Sequence, residues 1–283
     1  MKPSQPASAH RLEIKQGERF EFGENWSNFL AVLDEERITT AVESLRSMLG
    51  VTDLAGKTFI DVGSGSGLFS LAARRLGAFV VSFDYDPKSV KCAEELRNRY
   101  FPGDENWKIH QGSVLDREFL AGLGRFDVVY SWGVLHHTGR MWDALENVRS
   151  LLREDGTLFI AIYNDQGRMS AVWKRVKKTY CSGTVGRVFV KGVWIPYFAL
   201  RQLAADILRR RNPLLGYTQY KRQRGMSMVH DWYDWLGGYP FEVAKPEEIF
   251  NFYRERGLAL ARLKTCGGGL GCNQFVFTTS AAR

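Results

Sequence analysis

An α/β protein built on a doubly wound, mostly parallel sheet is what this 283-residue sequence predicts, and three observations carry that expectation. Short apolar runs alternate with segments of helical period. The stretch Asp61-Val62-Gly63-Ser64-Gly65-Ser66-Gly67 joins the first apolar run to the first helix of that alternation. The second run, Phe79 to Phe83, ends on an acid, Asp84. In this architecture ligands lie outside the carboxyl ends of the strands, where glycines let the backbone come close and an acid after the second strand faces the two hydroxyls of a ribose.

Each element has its own signal. Ile38, Val42, Leu45 and Leu49 recur near period 3.6 within residues 18–50, and Gly50 ends that helix. Strands are expected at 57–62, 79–84, 107–111, 126–131 and 156–162, with helices at about 67–76, 87–100 and 141–152. Asp155-Gly156 predicts a turn before the fifth strand. Pro246-Glu247-Glu248 suits a first helical turn and Gly257 a stop. Two β-like runs, Leu258 to Thr265 and Gln274 to Thr279, flank the glycine-rich Gly267 to Gly271. Three parts follow: a helical cap over 1–50, a ligand-binding domain over 51–164 and 242–283, and an inserted segment over 165–241 that forms a helical lid.

The loop reads G-x-G-x-G, and Leu68 stands where a pyrophosphate-binding fingerprint has its third glycine. A nucleoside cofactor with no phosphate at that turn tolerates the change. Four segments in order resemble the motifs of class I S-adenosylmethionine-dependent methyltransferases: Asp61 to Gly67, Phe83 to Pro87 (FDYDP), Gln111 to Asp116 (QGSVLD) and Phe126 to His137 (FDVVYSWGVLHH). The LHH of the fourth motif and Tyr163-Asn164-Asp165-Gln166-Gly167 are most similar to the quinone-ring O-methyltransferases of ubiquinone biosynthesis and their small-molecule relatives. The resemblance implies S-adenosyl-L-methionine as cofactor and an antiparallel last strand in a Rossmann-like sheet. It also implies transfer to oxygen of a small or lipid-like acceptor. Asp61, Gly63, Ser64, Gly65, Gly67, Asp84 and Tyr85 are its expected cofactor residues, with Ser113 and Val114 at the adenine edge and Ser131 and Trp132 beside the sulfonium. Ser113 departs from the acid that many members carry there.

Methyl transfer to a hydroxyl needs alignment and a base. His136 and His137 follow the fourth strand at the ligand edge; His137 occupies the family's histidine position, and His136 replaces what is often an acid. His137 is the expected base, against the alternative that both histidines are structural. A second cluster runs from His230 to Phe241, in which His230 or Asp231 offers an alternative base and Trp232 and Tyr233 offer aromatic faces to an acceptor. A packed hinge explains that cluster equally well. Tyr163 and Asn164 line the acceptor pocket or begin the lid. Asn25 to Phe29, with Trp26 facing the acceptor, forms a flap over the cofactor or an ordinary helix start capped at Asn25 or Ser27.

The formal charge of +8 is concentrated in one place. Residues 165–225 hold 14 Lys plus Arg against 2 Asp plus Glu, a balance of +12 that leaves −4 for the rest. Met169, Val172, Trp173, Val176 and Tyr180 share one helical face, and Tyr197, Leu200, Leu203, Ala204, Ile207 and Leu208 another, followed by Arg209-Arg210-Arg211. Two lid helices with solvated basic faces explain this. So do basic amphipathic helices, helped by Val193-Trp194-Ile195, that touch an anionic membrane or lipid-like substrate through 165–211. An RNA methyltransferase holding phosphates with this segment is the enzymatic alternative, and a non-catalytic cofactor-binding scaffold the other class. No RNA-binding module is recognisable, which counts against nucleic acid. Cys92, Cys181, Cys266 and Cys272 show no metal-ligand spacing, so reduced thiols and no metal are expected. The amino terminus lacks a signal-peptide core and no apolar run approaches membrane-spanning length, so the expected location is cytoplasmic, or peripheral at the inner face of a membrane.

Overall fold

The computed structural model describes residues 6–208 and 235–279. Seven strands form one sheet in the order β3-β2-β1-β4-β5-β7-β6: β1 Thr58–Val62, β2 Phe79–Asp84, β3 Trp107–Gln111, β4 Phe126–Trp132, β5 Leu152–Tyr163, β6 Ala259–Lys264 and β7 Cys272–Thr278. β1 to β5 run parallel, and β7 pairs antiparallel with both β5 and β6. The strand order reverses between β1 and β4, which opens a crevice at their carboxyl ends.

Alternate residues of each strand serve opposite faces. On one face Ile60, Val62, Val129 and Ile160 pack against α7 (Met141–Ser150) and α10 (Pro246–Arg254). On the other Phe59, Val80, Val128 and Phe159 meet α3 (Glu35–Leu49), α4 (Leu68–Arg75) and α5 (Pro87–Tyr100). Caps fix the helix starts: Asp34 accepts from Arg37 N, and Asp86, followed by Pro87, accepts from Lys88 N. Gly50 ends α3 at φ +70°.

Several expectations need correction. The fifth strand starts at Leu152, and Asp155-Gly156 is an excursion inside it: the pairing steps from Phe126↔Leu152 to Val128↔Thr157, with Asp155 at φ 62°. Helix α7 ends at Ser150 because the chain enters β5 at once. α6 (Arg117–Leu123) and α1 (Pro6–Lys15) were not anticipated as separate helices, whereas the helix start expected near Asn25 is α2 (Gly23–Leu30). Neither Asn25 nor Ser27 caps α2; it begins at Gly23, whose N–H donates to Asp86 Oδ2 at 2.8 Å, and Ser27 Oγ bonds back to Gly23 O.

The inserted segment contains α8 (Arg168–Cys181) and α9 (Thr184–Leu208). Trp173, Tyr180, Cys181 and Val190 form a third core with Leu236 and Phe241, joined by Phe20, Tyr163 and Trp235. Met169 and Val172, expected on the packed face of α8, are exposed, and so are Tyr197, Leu200, Leu203, Ile207 and Leu208 of α9. Among the described residues the four cysteines are free and no helix is long and apolar enough to cross a membrane.

Candidate active site

The floor of the crevice is the glycine loop. Gly63 N and Ser64 N donate to Phe83 O at 2.9 and 3.1 Å, tying the loop to β2. Asp84 holds it from the other side: Oδ2 accepts from Gly65 N and Oδ1 from Asp86 N, each at 2.9 Å. The three glycines do different work. A Cβ on Gly63 would strike Val134, one on Gly67 would strike Ala93 of α5, and one on Gly65 would fall 2.9 Å from the Trp26 indole. Gly67 therefore serves helix packing, and Gly65 keeps open the place where α2 crosses the loop.

Two acids lie at this floor, Asp61 buried beneath it and Asp84 partly exposed at its edge. Asp61 accepts from Ser70 Oγ at 2.6 Å, and burial pushes its carboxyl up to about 7. Burial likewise pushes Asp84 up to about 6, although backbone N–H donors oppose the shift. Ser64 Oγ is buried with no hydrogen-bond partner among the described residues. Such an orphaned hydroxyl calls for a ligand group. Asp84 keeps acceptor capacity beyond its two backbone bonds, as a ribose diol requires. Orphan, acid and glycine cradle together fit an adenosyl cofactor.

Other residues expected to touch the cofactor are otherwise engaged. Ser131 is fully buried and its hydroxyl donates to Val62 O at 2.9 Å, so it knits β4 to β1 and does not face the crevice. Ser113 Oγ accepts from Leu115 N at 3.2 Å, and Val114 is a core residue whose carbonyl accepts from Asn147 at 2.9 Å. Tyr85 belongs to the α1 contact: its hydroxyl donates to Glu13 at 2.9 Å, its ring lies beneath Arg19, and its ionisation is pushed upward by burial. Trp132 is exposed.

The histidines lie in a 3₁₀ turn, Leu135–His137, after β4. His136 is fully buried; Nδ1 accepts from Tyr163 N at 3.3 Å, so its hydrogen is on Nε2, which has no partner among the described residues. His137 Nδ1 lies 2.6 Å from Pro240 O. A carbonyl only accepts, so Nδ1 donates and Nε2 keeps the lone pair. Burial lowers both histidines, His137 to about 3, and the Lys177 ammonium adds to the effect. Lys177 is itself buried, donates to Trp235 O, and faces the Trp235 and Phe241 rings at 4.0 and 5.0 Å. Tyr163 is the hub of this group, 3.9 Å from the His136 ring and 5.4 Å from that of His137.

Asn164 is bonded to the terminal hairpin. Its side chain accepts from Asn273 at 3.0 Å and its N–H donates to Gly271 O, which fastens the end of β5 to the β6–β7 hairpin. His230, Asp231, Trp232 and Tyr233 lie outside the described residues. No local pattern marks Arg19, which donates to His137 O at 3.0 Å, or Phe22, whose ring is 5.0 Å from that of His137. Phe22 and Trp26 are one turn apart, so α2 bridges His137 and Gly65. A cavity of about 580 Å³ borders Arg19, Thr138 and Pro240 beside the histidine turn.

A seven-stranded sheet in this order, with glycine loop, acid and histidine turn at one edge, defines the class I methyltransferase fold. Residues 60–158 match the family model described as a methyltransferase domain, and the chain carries such a domain there. A ubiquinone biosynthesis O-methyltransferase of Methylobacterium is 28% identical over 152 residues, 53% of this chain and 54% of that protein. A tRNA U34 carboxymethyltransferase of Methylococcus capsulatus is 32% identical over 43% of this chain and 37% of its own length. The chain thus spans about half the length, or less, of these curated relatives. Among solved structures, magnesium protoporphyrin IX methyltransferase from Synechocystis with bound SAH shares the fold at TM-score 0.51 and 15% identity, covering 87% of this chain and 83% of that one. A Burkholderia thailandensis 1,6-didemethyltoxoflavin-N1-methyltransferase with bound S-adenosylhomocysteine does so at 0.51 and 14%, covering 99% and 93%.

Proposed function

We propose that this chain is a methyltransferase that uses S-adenosyl-L-methionine to methylate a hydroxyl of a small-molecule acceptor. The observation that carries the reading is the Asp84 carboxylate at the end of β2, bonded to Gly65 N beside the unpartnered Ser64 hydroxyl. Asp84 would hold the ribose, and Ser64 and the loop backbone the remaining polar groups. When bound, the cofactor supplies a methyl group on a sulfonium, which already contains a good leaving group.

The protein's share is positioning. Trp26 packs over the loop at Gly65, and Phe22 packs against the His137 ring. His137, neutral with its Nε2 lone pair available, accepts a hydrogen bond from the acceptor hydroxyl and orients that oxygen. A group lowered to about 3 is a weak base, so alignment carries more of the rate than proton removal. Arg19, bonded to the His137 carbonyl, holds this turn in place. Transfer to oxygen is favoured by that lone pair and by the names of the ubiquinone-type relatives.

The test is calorimetry with S-adenosylhomocysteine, followed by transfer of a labelled methyl group to a panel of phenols, catechols and amines. Binding is expected for the parent and lost in Asp84→Ala. His137→Phe is expected to retain binding within about 2-fold and to lose about 100-fold in kcat/KM for a phenolic acceptor. Absence of binding in the parent, or labelling of amines alone, overturns the proposal.

A further inference from the structure

The segments that follow β2 and β4 are joined by side chains of the amino-terminal region. On the β2 side, the Tyr85 hydroxyl donates to Glu13 Oε1 at 2.9 Å. The second oxygen of the same carboxylate, Oε2, accepts from Arg19 Nε at 2.5 Å, and Arg19 Nη1 reaches His137 O, after β4, at 3.0 Å. The Arg19 guanidinium also lies 5.0 Å from the centre of the Tyr85 ring. Glu13 thus gives each oxygen to a different neighbour. Both members of the ion pair are partly buried, where a charge-assisted bond is worth more than an open surface pair.

The sheet order gives this link its consequence. β1 lies between β2 and β4, so a connection from Tyr85 to His137 spans the carboxyl end of β1 and with it the glycine loop. Neighbouring contacts close the same side. The His10 ring meets Tyr85 edge-on at 5.2 Å with Nε2 3.8 Å from Asp86 Oδ2, and that oxygen accepts from Gly23 N at the start of α2 at 2.8 Å. One turn further on, Trp26 lies so near Gly65 that the glycine is buried. A cofactor seated on Asp84 and the loop therefore reaches its place only when α1 and α2 lift. A 10-residue helix held by a few side-chain bonds lifts without opening the sheet. We propose that Glu13 and Arg19 form an entry clasp, tying Tyr85 to His137 across the crevice, whose opening sets how fast S-adenosyl-L-methionine enters and leaves. This inference rests on the cofactor reading of the site. Glu13 and Arg19 are positioning residues in it, acting through Tyr85 and the His137 turn, while the contacts that hold the ligand stay with Asp84 and the loop.

A gate and a binding contact differ in kinetics. Loosening a gate speeds entry and exit by the same factor, whereas losing a contact to the ligand acts mainly on exit. The experiment is stopped-flow binding and release of S-adenosylhomocysteine by the full chain. Glu13→Ala is expected to raise both rates by about 10-fold and to leave Kd within about 2-fold. Tyr85→Phe, which keeps the ring and removes only the bond to Glu13, is expected to move both rates the same way by about 3-fold, and it serves if Glu13→Ala fails to fold. Hydrogen exchange tests the clasp without ligand: the amides of residues 6–15 are expected to exchange about 10-fold faster in Glu13→Ala while those of β1 and β4 are unchanged. Folded variants with the parent's rates, or with faster release alone, overturn the proposal. Unchanged exchange in α1 overturns the clasp and leaves the cofactor reading standing. A parent that does not bind S-adenosylhomocysteine, with exchange in α1 still sped by Glu13→Ala, overturns the cofactor reading and the entry role together.

Discussion

The floor and the roof of the site are held by different kinds of bond. On the floor, the loop after β1 is fixed by backbone groups: Gly63 N and Ser64 N on Phe83 O, and Gly65 N on Asp84. The roof, from α1 to α2, is fixed largely by side chains: Glu13 on Tyr85, Arg19 on His137 O, Asp86 on Gly23 N, and the Trp26 indole against Gly65. A floor tied into sheet register opens only with the domain, whereas a roof of a few side-chain contacts can open locally. Under the proposed function the floor is the fixed binding surface and the roof is the cover that admits and releases the ligand.

The sharpest challenge to this contrast is Gly65→Val. Its φ of +54° disfavours any β-branched residue, and the new Cβ meets Trp26 at 2.9 Å. Binding of S-adenosylhomocysteine is expected to fall by about 100-fold or more, measured by calorimetry. Adding Trp26→Ala relieves the clash but not the backbone strain, so little binding returns. Full recovery in the double variant would mean that the roof, not the floor, sets the loop.

Titration gives the two regions opposite signs. Asp61, in the floor, has a folded value of about 7 against an ordinary 3.8, so the stability it contributes is present below pH 3.8 and lost as pH rises through 7. His137, beneath the roof, has a folded value of about 3 against 6.5; its contribution is present above pH 6.5 and lost as pH falls toward 3. Each is on the order of a few kcal/mol. Thermal unfolding across pH 4 to 8 is expected to show Asp61→Asn flattening the alkaline decline and His137→Gln the acid one. Identical profiles for both variants would remove the contrast.

Trp26→Ala alone sharpens the comparison from the roof side. It leaves the Asp84–Gly65 bond intact, so affinity for S-adenosylhomocysteine is expected to drop only about 3- to 10-fold, with most of the change in the dissociation rate. Stopped-flow release of the ligand measures it. A change confined to association would mean that Trp26 guides entry and does not retain the ligand.

The same division explains what was legible in the sequence. Strands β1 to β4 fall within a residue of their expected bounds because short runs rich in β-branched and aromatic residues between turn signals write a local pattern. The glycine loop and Asp84 were legible because positive φ and an acid after a strand are local signatures. Arg19 was not, since its bond spans 118 residues to a carbonyl, which any residue offers. Lys177 could not be told from Lys174, Arg175 and Lys178; only packing decides which member of a basic run is buried. Ser131 and Asn164 show the complementary limit: each stands at the expected edge, but the partners its side chain takes, Val62 O and Asn273, are set by packing that no local pattern writes.

Two serines of the floor carry the smallest expected effects and the finest discrimination. Ser64 Oγ has no hydrogen-bond partner among the described residues, whereas Ser113 Oγ is engaged by Leu115 N at 3.2 Å. Removing a buried hydroxyl that bonds nothing costs the free protein little, while removing one that satisfies a backbone donor costs about 1 kcal/mol. Ligand binding should reverse the ranking, because only the orphan has hydrogen-bonding capacity in reserve. Ser64→Ala is expected to leave Tm unchanged and weaken S-adenosylhomocysteine about 3- to 10-fold, and Ser113→Ala to lower Tm by a few degrees and leave affinity within about 2-fold. The opposite pattern would place the ligand over the Ser113 turn and away from the loop, and the floor would then have to be redrawn around β3.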